Sequence, residues 1–361
     1  MRSRCDAIVT ILGMVVLGAC GRSPATPTPT QSAASSAPPA VMEVLVTGPA
    51  RLAPGATASC KAIANYSDGS SKDVTANATW LPSGPGNMTP PAYFTAPGVV
   101  QGANAGEIDL YATYGNKNGS LRVLVLPDGT YKLAGTVLES SGRPLWSVGI
   151  DVLAGTGTGL HAITNASGLY ALYGVAGSVR VRASADGFAS QMRDVVVTSD
   201  ASADAFTLAP LETPADISGT WTMTLAPAAQ CPAGFPDIAR GRSYQVRFTQ
   251  QGTGLKLDVS GPTLKVYNQG EDYGTVLGSQ LQFILTGDTD YGDWSTADLV
   301  DQLSPTENLQ LDGTIRGTIA GSQVVGATLD GDLVYYSAAP KGNFTPNWYC
   351  RAKNHPVTLQ R

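Results

Sequence analysis

The sequence has very little histidine and comparatively few charged residues. Only two histidines occur among its 361 residues, and this scarcity excludes most zinc sites and most catalysis that uses histidine. Charged residues make up 14% of the chain, against roughly 25% in an average soluble domain. The formal net charge is -5, which argues against a nucleic acid as the partner, because contacts to phosphates need a basic surface.

The motifs of several common enzyme classes are also missing. The sequence contains no G-x-S-x-G, H-E-x-x-H, P-loop or C-x-x-C pattern, and the glycines at 155, 157 and 159 lack the spacing of a dinucleotide-binding loop. Neither histidine has a serine or carboxylate at a fixed local spacing. We therefore expect His161 to be a solvated strand residue and His355 to lie alone near the last strand. We predict that the protein is not an enzyme and needs no cofactor.

Long helical patterns are absent as well. No stretch after Val41 keeps apolar residues at positions i, i+3 and i+4 over three turns. Alternating apolar and polar residues, interrupted by glycine, proline, asparagine and aspartate, recur instead. Since 43% of the residues are hydrophobic, the chain as a whole is not intrinsically disordered. It is predicted to be all-β.

The first residues have the organisation of an export signal. Arg2 and Arg4 precede an apolar stretch at 7–16, which is shorter than the about 20 residues of a membrane-spanning helix. The sequence LGACG at 17–21 follows and resembles the lipobox of bacterial lipoprotein signals. The resemblance implies cleavage before Cys20 and attachment of lipid to its sulfur and its new amine. An ordinary secretory signal with an incidental cysteine is the alternative.

A lipid on Cys20 would hold the protein firmly, because two or more acyl chains anchor stably. Arg22 stands where, in the lipoprotein family, an aspartate indicates retention in the inner membrane. The resemblance therefore implies the outer membrane of a Gram-negative envelope and leaves open which face carries the protein. Residues 20–40, rich in proline, serine, threonine and alanine, cannot bury a core and are predicted to form a disordered tether.

Two breaks in composition, at 127–129 and 210–214, divide the rest of the chain into three modules. The predicted fold is all-β, with two tandem β-sandwich domains followed by an up-and-down β-barrel-like domain, after a cleaved signal and a disordered linker. The predicted segments are a signal peptide at 1–19, the tether at 20–40, sandwiches at 41–127 and 128–211, and the barrel-like domain at 212–361.

The first module resembles a bacterial Ig-like domain of the BIG2 type. It contains YSDGS at 66–70, DVT at 73–75 and then Trp80, which is the order typical of that family. The resemblance implies a two-sheet sandwich in which Trp80 is buried centrally. It also implies a spacer or an adhesive stalk without catalytic residues.

The second module resembles a carboxypeptidase regulatory-like, transthyretin-type sandwich. It contains GRPL at 142–145, Thr164 and GLY at 168–170, and residues 146–149 depart from the family pattern, which leaves the register of that strand open. The resemblance implies a non-catalytic module. Some related sandwiches bind glycans, so carbohydrate binding is one alternative function.

The third module begins with ISGTW at 217–221, which resembles the start of lipocalin-like and avidin-like barrels. We interpret Asp312-Gly313, Ala320-Gly321 and Asp330-Gly331 as hairpin turns. Repeated hairpins predict an up-and-down meander that closes into a barrel. Such a barrel holds a small ligand or is filled by its own side chains, and both alternatives remain open here.

Five cysteines are present. Cys5 leaves with the signal and Cys20 is assigned to the lipid. Cys231 and Cys350 both lie in the third module and are the natural disulfide pair in an oxidising compartment. Cys60 falls on the apolar phase of its strand and is expected to be a buried, inert thiol.

One acidic run in the third module could bind calcium. Asp288, Asp290 and Asp293 offer hard oxygen ligands beside a glycine, but the glycine stands at the fifth place of the run, where an EF-hand loop needs it at the sixth. A solvated loop is the alternative. Exposed aromatic rings in the same module could stack on sugars, and a packed core is the alternative for them. These rings belong to Tyr291, Trp294, Trp348 and Tyr349.

Together these features predict a lipid-anchored, non-catalytic envelope protein. Its sandwich modules would act as spacers that present the C-terminal domain for adhesion or ligand binding. The predicted partners are the membrane, reached through the lipid, and a glycan or a protein at the cell surface. The alternatives are a carbohydrate-binding protein and a barrel that carries a small hydrophobic ligand.

Overall fold

The structure is a computed structural model that describes residues 38–83, 90–261, 263–266, 274–285, 299–337 and 346–361. This part of the chain consists of 27 β-strands and one short 3-10 helix, Asp237–Ala239. Among the residues described, no helix has the length and hydrophobicity needed to span a bilayer. The prediction of an all-β fold is confirmed.

The first module is a β-sandwich made of three small sheets. Its strands are β1 (Val41–Thr47), β2 (Arg51–Leu52), β3 (Thr57–Ser59), β4 (Lys61–Tyr66), β5 (Ser71–Asp73), β6 (Thr79–Pro82), β7 (Ala92–Ala96), β8 (Val99–Gly102), β9 (Gly106–Tyr114) and β10 (Lys117–Val125). The strand orders are β1-β4-β5, β2-β10-β9-β6 and β3-β8-β7. Trp80 lies in the core, and its Nε1 donates a hydrogen bond to the Thr75 carbonyl oxygen at 2.9 Å. Cys60 is buried and unpaired, and burial raises the pKa of its thiol.

The second module is a sandwich held together by one long strand. Its strands are β11 (Tyr131–Glu139), β12 (Gly149–Thr156), β13 (His161–Ile163), β14 (Leu169–Ser184), β15 (Gln191–Val197), β16 (Ala201–Ser202) and β17 (Phe206–Leu208). The first half of β14 pairs with β11, and its second half pairs with β12 and β15. Gly174 and Gly177 adopt φ values of 107° and 66°, which allow β14 to change direction between the two sheets. The register that the sequence left open is settled by Gly149, which pairs with Ile163 and Ser184.

The third module is a closed, eight-stranded, antiparallel barrel. Its strands are β18 (Gly219–Leu225), β19 (Ser243–Gln251), β20 (Gly254–Ser260), β21 (Leu264–Val266), β22 (Gly274–Leu277), β23 (Gln280–Ile284), β24 (Leu299–Gln302), β25 (Glu307–Ala320), β26 (Gln323–Ser337) and β27 (Trp348–Gln360). The ring runs through β18, β19, β20, β22, β23, β25, β26 and β27 and closes where β27 pairs with β18. Strands β21 and β24 extend the sheet beside β25. The predicted up-and-down meander is therefore the observed topology.

Large side chains occupy the barrel interior in the part that the structure describes. Trp221, Tyr244, Phe248 and Phe283 are at most 2% exposed and belong to one core cluster. The rings of Phe248 and Phe283 meet edge to face, with their centroids 5.4 Å apart. Trp221 donates its indole N–H to the carbonyl oxygen of Ile217 at 2.7 Å. These positions alternate along their strands, as a strand with one face inside a barrel requires.

Two of the three predicted hairpin turns are wrong. Asp312-Gly313 lies inside β25 and Asp330-Gly331 inside β26, and only Ala320-Gly321 lies at a turn. Gly313 pairs with Gly331 across the ladder, and a Cβ on Gly331 would lie 1.9 Å from the Asp312 carbonyl oxygen. These glycines therefore permit close approach of two backbones, which is the other common reason for glycine inside a strand.

Two ion pairs join the first module to the second. Arg51 Nη2 lies 2.6 Å from both carboxylate oxygens of Asp200, and Asp200 also accepts a hydrogen bond from the backbone N–H of Lys132 at 2.9 Å. The Lys132 ammonium group contacts Glu107 of the first module. All four side chains are between 24% and 44% exposed, so each pair contributes at most about 1 kcal/mol.

A buried ion pair joins the second module to the barrel. The side chains of Glu139 and Arg143 are 1% and 7% exposed, and their closest N–O distance is 3.2 Å. The Glu139 carboxylate also accepts hydrogen bonds from the backbone N–H and the hydroxyl of Thr253 at 2.9 and 3.2 Å. Arg143 donates to the same hydroxyl at 2.8 Å. Because Thr253 belongs to the barrel, this network connects the two modules through charges removed from water.

Candidate functional site

A cleft lies on the second module beside the edge strand β13. It has a volume of about 620 Å³ and is lined by residues of β11, β13 and β14 together with Ser202 and Ala203. Ile163 and Leu169 contribute apolar surface at its rim and are 61% and 50% exposed. The cleft therefore combines exposed apolar side chains with open access from solvent, which is typical of a binding surface.

His161 is the ionisable residue of β13 at this cleft. Its Nδ1 lies 2.8 Å from Oδ1 of Asp151, whose other oxygen accepts a hydrogen bond from Arg182 at 2.7 Å. The hydrogen bonds from Arg182 and then His161 lower the pKa of Asp151, so this carboxylate stays ionised. The sequence predicted a solvated His161, and the side chain is half-exposed but paired.

Tyr170 forms part of the cleft wall. Its side chain is 4% exposed, burial raises the pKa of its hydroxyl to about 12, and within the described chain that hydroxyl has no hydrogen-bond partner. It lies against Gly135, where a Cβ would stand 2.5 Å from the phenolic oxygen. Gly135 therefore makes the room that Tyr170 occupies.

Ionisable side chains line part of the cleft. The described residues that line it include Lys132 and His161 but no carboxylate. Lys132 is engaged by Glu107, and His161 by Asp151.

A second polar group surrounds Asp301 on β24, the strand that extends the sheet beside the barrel ring. Its carboxylate accepts hydrogen bonds from Arg242 at 2.7 Å, from Thr263 at 2.5 Å and from the Tyr244 hydroxyl at 3.0 Å. Burial by itself would raise the pKa of Asp301, but these hydrogen bonds hold it below its ordinary value. Both carboxylate oxygens of Asp301 accept hydrogen bonds. The Asp301 group therefore acts as a structural link between β19 and β24.

The third group contains the disulfide between Cys231 and Cys350, which the sequence predicted and the structure confirms. The prediction that His355 lies alone is wrong. His355 is 0% exposed, and its Nδ1 lies 3.9 Å from Cys231 Sγ and accepts a hydrogen bond from the Ala228 N–H at 3.1 Å.

A β-bulge brings His355 to the disulfide. The ladder between β26 and β27 shifts register between Gly331, which pairs with Ala352, and Leu329, which pairs with His355. Regular alternation from Cys350 would turn residue 354 inward, but the extra residue places His355 on the inner face. One sequence signal pointed to this irregularity, because prolines such as Pro356 occur in sheets mainly at edges and bulges.

The aromatic pair predicted on β27 is divided between two faces of the sheet. Trp348 is 7% exposed, its ring centroid lies 4.8 Å from that of Phe235, and its Nε1 donates to the Pro232 carbonyl oxygen at 3.1 Å. Tyr349 is 43% exposed, and its hydroxyl donates to Asp332 at 3.0 Å. Neighbouring strand residues point in opposite directions, so Trp348 packs in the core and the two rings do not share one surface.

The remaining predicted site residues lie outside the described residues, and the predictions made for them stay predictions. They are the lipidation site Cys20, the candidate calcium ligands Asp288, Asp290 and Asp293, and the candidate ligand-binding residues Tyr291 and Trp294.

Comparisons with solved structures return bacterial proteins, two of them pilins, at low similarity. A streptococcal ancillary pilin is 11% identical over 58% of this chain and 76% of its own, with a TM-score of 0.21. BcpA, the major pilin subunit of Bacillus cereus, is 9% identical over 46% and 71%, with a TM-score of 0.20. The Bacillus anthracis TIE protein is 10% identical over 86% and 72%, with a TM-score of 0.21. TM-scores this low do not establish a shared fold.

Sequence comparison is informative for one module. No curated protein matches the chain significantly. Residues 132–209 match the family model of the carboxypeptidase regulatory-like domain, and this range contains the whole of the cleft. The resemblances of the signal, the first module and the barrel to known families stay predictions. The predicted resemblance of the second module to carboxypeptidase regulatory-like domains is confirmed over residues 132–209.

Proposed function

We propose that this chain is a lipid-anchored, non-catalytic protein of the cell envelope. Its two sandwich modules would serve as spacers between the membrane and the barrel, which would contact a glycan or a protein at the cell surface. The family match of the second module supports a non-catalytic role, because modules of this kind accompany other domains. The outer membrane is the proposed location, on the strength of the lipobox and Arg22.

The observation that carries the proposal is the serial coupling of the modules. In the sequence, the tether precedes β1 of the first module. The first module contacts the second through two ion pairs, Arg51 with Asp200 and Glu107 with Lys132. The second module holds the barrel through the buried pair of Glu139 and Arg143. A buried network in which every polar group has a partner favours one orientation of the second module relative to the barrel. A spacer needs such a fixed orientation in order to present the domain that it carries.

The anchor is tested by metabolic labelling with an alkyne analogue of palmitate. The wild-type chain should take up the label and sediment with membranes, whereas Cys20→Ser should lose the label and become soluble, because its acyl chains are gone. Cys5→Ser is the matched control, since that cysteine lies within the cleaved signal and its replacement should change neither result. A wild-type chain without label would contradict the proposal.

Glycan binding at the cleft of the second module is a second candidate function. The cleft offers Ile163 and Leu169 as apolar surface for the C–H faces of a sugar, with polar groups such as His161 beside them. In ligand sites, apolar side chains provide the contact area and a few polar groups orient the ligand.

A glycan array probed with the full chain carrying Cys20→Ser tests this candidate. Ile163→Glu should lower any signal about tenfold or more, which corresponds to about 1.4 kcal/mol. Met192→Glu on β15 is the matched control, because Met192 is 60% exposed against 61% for Ile163 but does not line the cleft. No wild-type binding, or an equal loss in both variants, would remove glycan binding at this cleft.

A further inference from the structure

A small crevice lies where the first module meets the second. It has a volume of about 340 Å³, and the side chains that line it include Ser83, Glu107, Asp109 and Arg122 of the first module and Lys132 of the second. Ligand pockets have volumes of about 300–1,000 Å³ and occur preferentially at domain interfaces. The crevice therefore has the size and the position of a site for a small ligand. Lys132 also lines the cleft of the second module, but the other side chains named here do not.

The charged groups of the crevice hold one another in place. Arg122 donates hydrogen bonds to both carboxylate oxygens of Asp109, from Nε at 2.9 Å and from Nη2 at 3.0 Å. The same Nε lies 3.4 Å from Oε1 of Glu107, whose Oε2 accepts a hydrogen bond from Lys132. The two carboxylates therefore balance one guanidinium and one ammonium group. A site whose charges already balance favours a neutral ligand over an anion or a cation.

These ion pairs leave donors and acceptors for a ligand. Each carboxylate oxygen can accept more than one hydrogen bond, and a guanidinium has more N–H groups than the pair with Asp109 uses. Ser83 Oγ accepts a hydrogen bond from the backbone N–H of Asp109 at 3.0 Å, and this bond does not use the hydroxyl proton. The crevice therefore places donors beside acceptors. Hydroxyl groups match this arrangement, because each of them both donates and accepts.

An apolar surface adjoins the crevice on the same face of the sheet. Tyr111 stands two residues after Asp109 on β9, so both side chains point to that face, about 7 Å apart along the strand. Leu81 on β6 pairs with Tyr111 across the ladder. Tyr111 and Leu81 are 38% and 60% exposed. A tyrosine ring offers a rigid apolar face to a ligand, so an apolar platform lies beside the polar groups.

We propose that this crevice binds one sugar unit of a neutral oligosaccharide. A pyranose ring has an apolar C–H face, which packs on the ring of Tyr111, and a rim of hydroxyl groups, which bond to Asp109 and Arg122. An acidic sugar adds a charge for which the balanced site has no counter-charge left. Because Lys132 belongs to the second module, the bound sugar contacts both modules. The first module is then a binding module as well as a spacer, which goes beyond the proposed function and does not depend on the lipid anchor.

The aromatic contact is tested on an array of neutral, sialylated and uronic-acid oligosaccharides, probed with the full chain carrying Cys20→Ser. This chain should bind neutral oligosaccharides. Tyr111→Ala should lower their signal about tenfold or more, as truncation of a central aromatic residue in a binding site commonly does. Tyr111→Phe keeps the ring and should bind like the wild type. Tyr93→Ala is the matched control, because Tyr93 is 40% exposed but belongs to the sheet of β3, β8 and β7.

The polar contacts are tested by calorimetric titration with the neutral oligosaccharide that gives the strongest array signal. Asp109→Asn should weaken its binding about tenfold or more, because the variant loses the charge that fixes Arg122. Asp194→Asn is the matched control, since Asp194 accepts two hydrogen bonds from Arg180 at 2.8 and 2.9 Å in the same bidentate geometry. Circular dichroism of each variant should match that of the wild type.

Several results would overturn the proposal. They are the absence of binding to neutral oligosaccharides, a stronger signal from acidic ones, an unchanged signal in Tyr111→Ala, and equal losses in a variant and its control. Binding that is lost in Ile163→Glu but kept in Tyr111→Ala would also overturn it, and would assign the sugar to the cleft of the second module. None of these results bears on the lipid anchor, which the labelling of Cys20 tests separately.

Discussion

Replacing Cys231 and Cys350 together by serine is expected to lower the free energy of unfolding of the barrel by about 4–5 kcal/mol. The disulfide spans 119 residues, and cross-linking a loop of this length removes much of the conformational freedom of the unfolded chain. It also connects the segment after β18 to β27, the two strands whose pairing closes the barrel. Urea unfolding should show a midpoint lower by about 2 M, for a slope of about 2 kcal/mol per M.

The control for this prediction is Cys60→Ser in the first module. It removes a thiol that is buried but unpaired, so it should leave the barrel transition where it is. A double variant whose barrel unfolds at the wild-type midpoint would contradict the entropic argument. The same denaturation series under reducing conditions should reproduce the double variant, because breaking the bond and removing its sulfurs free the same loop.

Replacing Glu139 by alanine is expected to destabilise the protein by about 3–5 kcal/mol. The variant leaves the Arg143 guanidinium, 7% exposed, without its buried counter-charge. It also removes the acceptor for the backbone N–H of Thr253. Calorimetry should show a lower unfolding temperature, and the second module and barrel should cease to unfold together, because their shared network is gone.

The exposed pair of Arg180 and Asp194 provides the matched control. Its side chains are 54% and 61% exposed, and Asp194→Ala should leave the stability close to that of the wild type, because water screens an exposed pair. The double variant Glu139→Leu with Arg143→Met should recover most of the loss, since apolar side chains in place of a buried pair are often neutral. If Glu139→Ala and Asp194→Ala lowered the free energy of unfolding equally, burial would not be the reason for the contribution of the Glu139–Arg143 pair.

Much of the fold follows from local patterns. The alternation in β18 and β19 predicts which residues face the core, and Trp221, Tyr244 and Phe248 are buried accordingly. The same reasoning failed at Gly313 and Gly331, because an Asp-Gly pair is compatible with both a tight turn and a close approach of two strands. The choice between these two roles depends on whether another strand lies against the glycine, and the local sequence does not show this.

The candidate sites were harder to predict than the strands. Glu139 and Thr253 are 114 residues apart, and a charged strand residue by itself indicates an exposed position. His355 was missed because one bulged residue changes which face every later side chain of β27 occupies. The cleft at Ile163 and Leu169 depends on how β11, β13 and β14 are arranged relative to one another, which the pattern within each strand does not encode.

The sequence by itself determined the all-β class, the meander of the barrel and the pairing of Cys231 with Cys350. These properties depend on side-chain periodicity, on composition and on the number of cysteines, and all of them can be read along the chain. Only the tertiary structure decided that His355 meets the disulfide, that Glu139 and Arg143 are buried against Thr253, and that Trp348 and Tyr349 face opposite ways. Such contacts depend on the register of strands that are distant in sequence, and a shift of one residue reverses them.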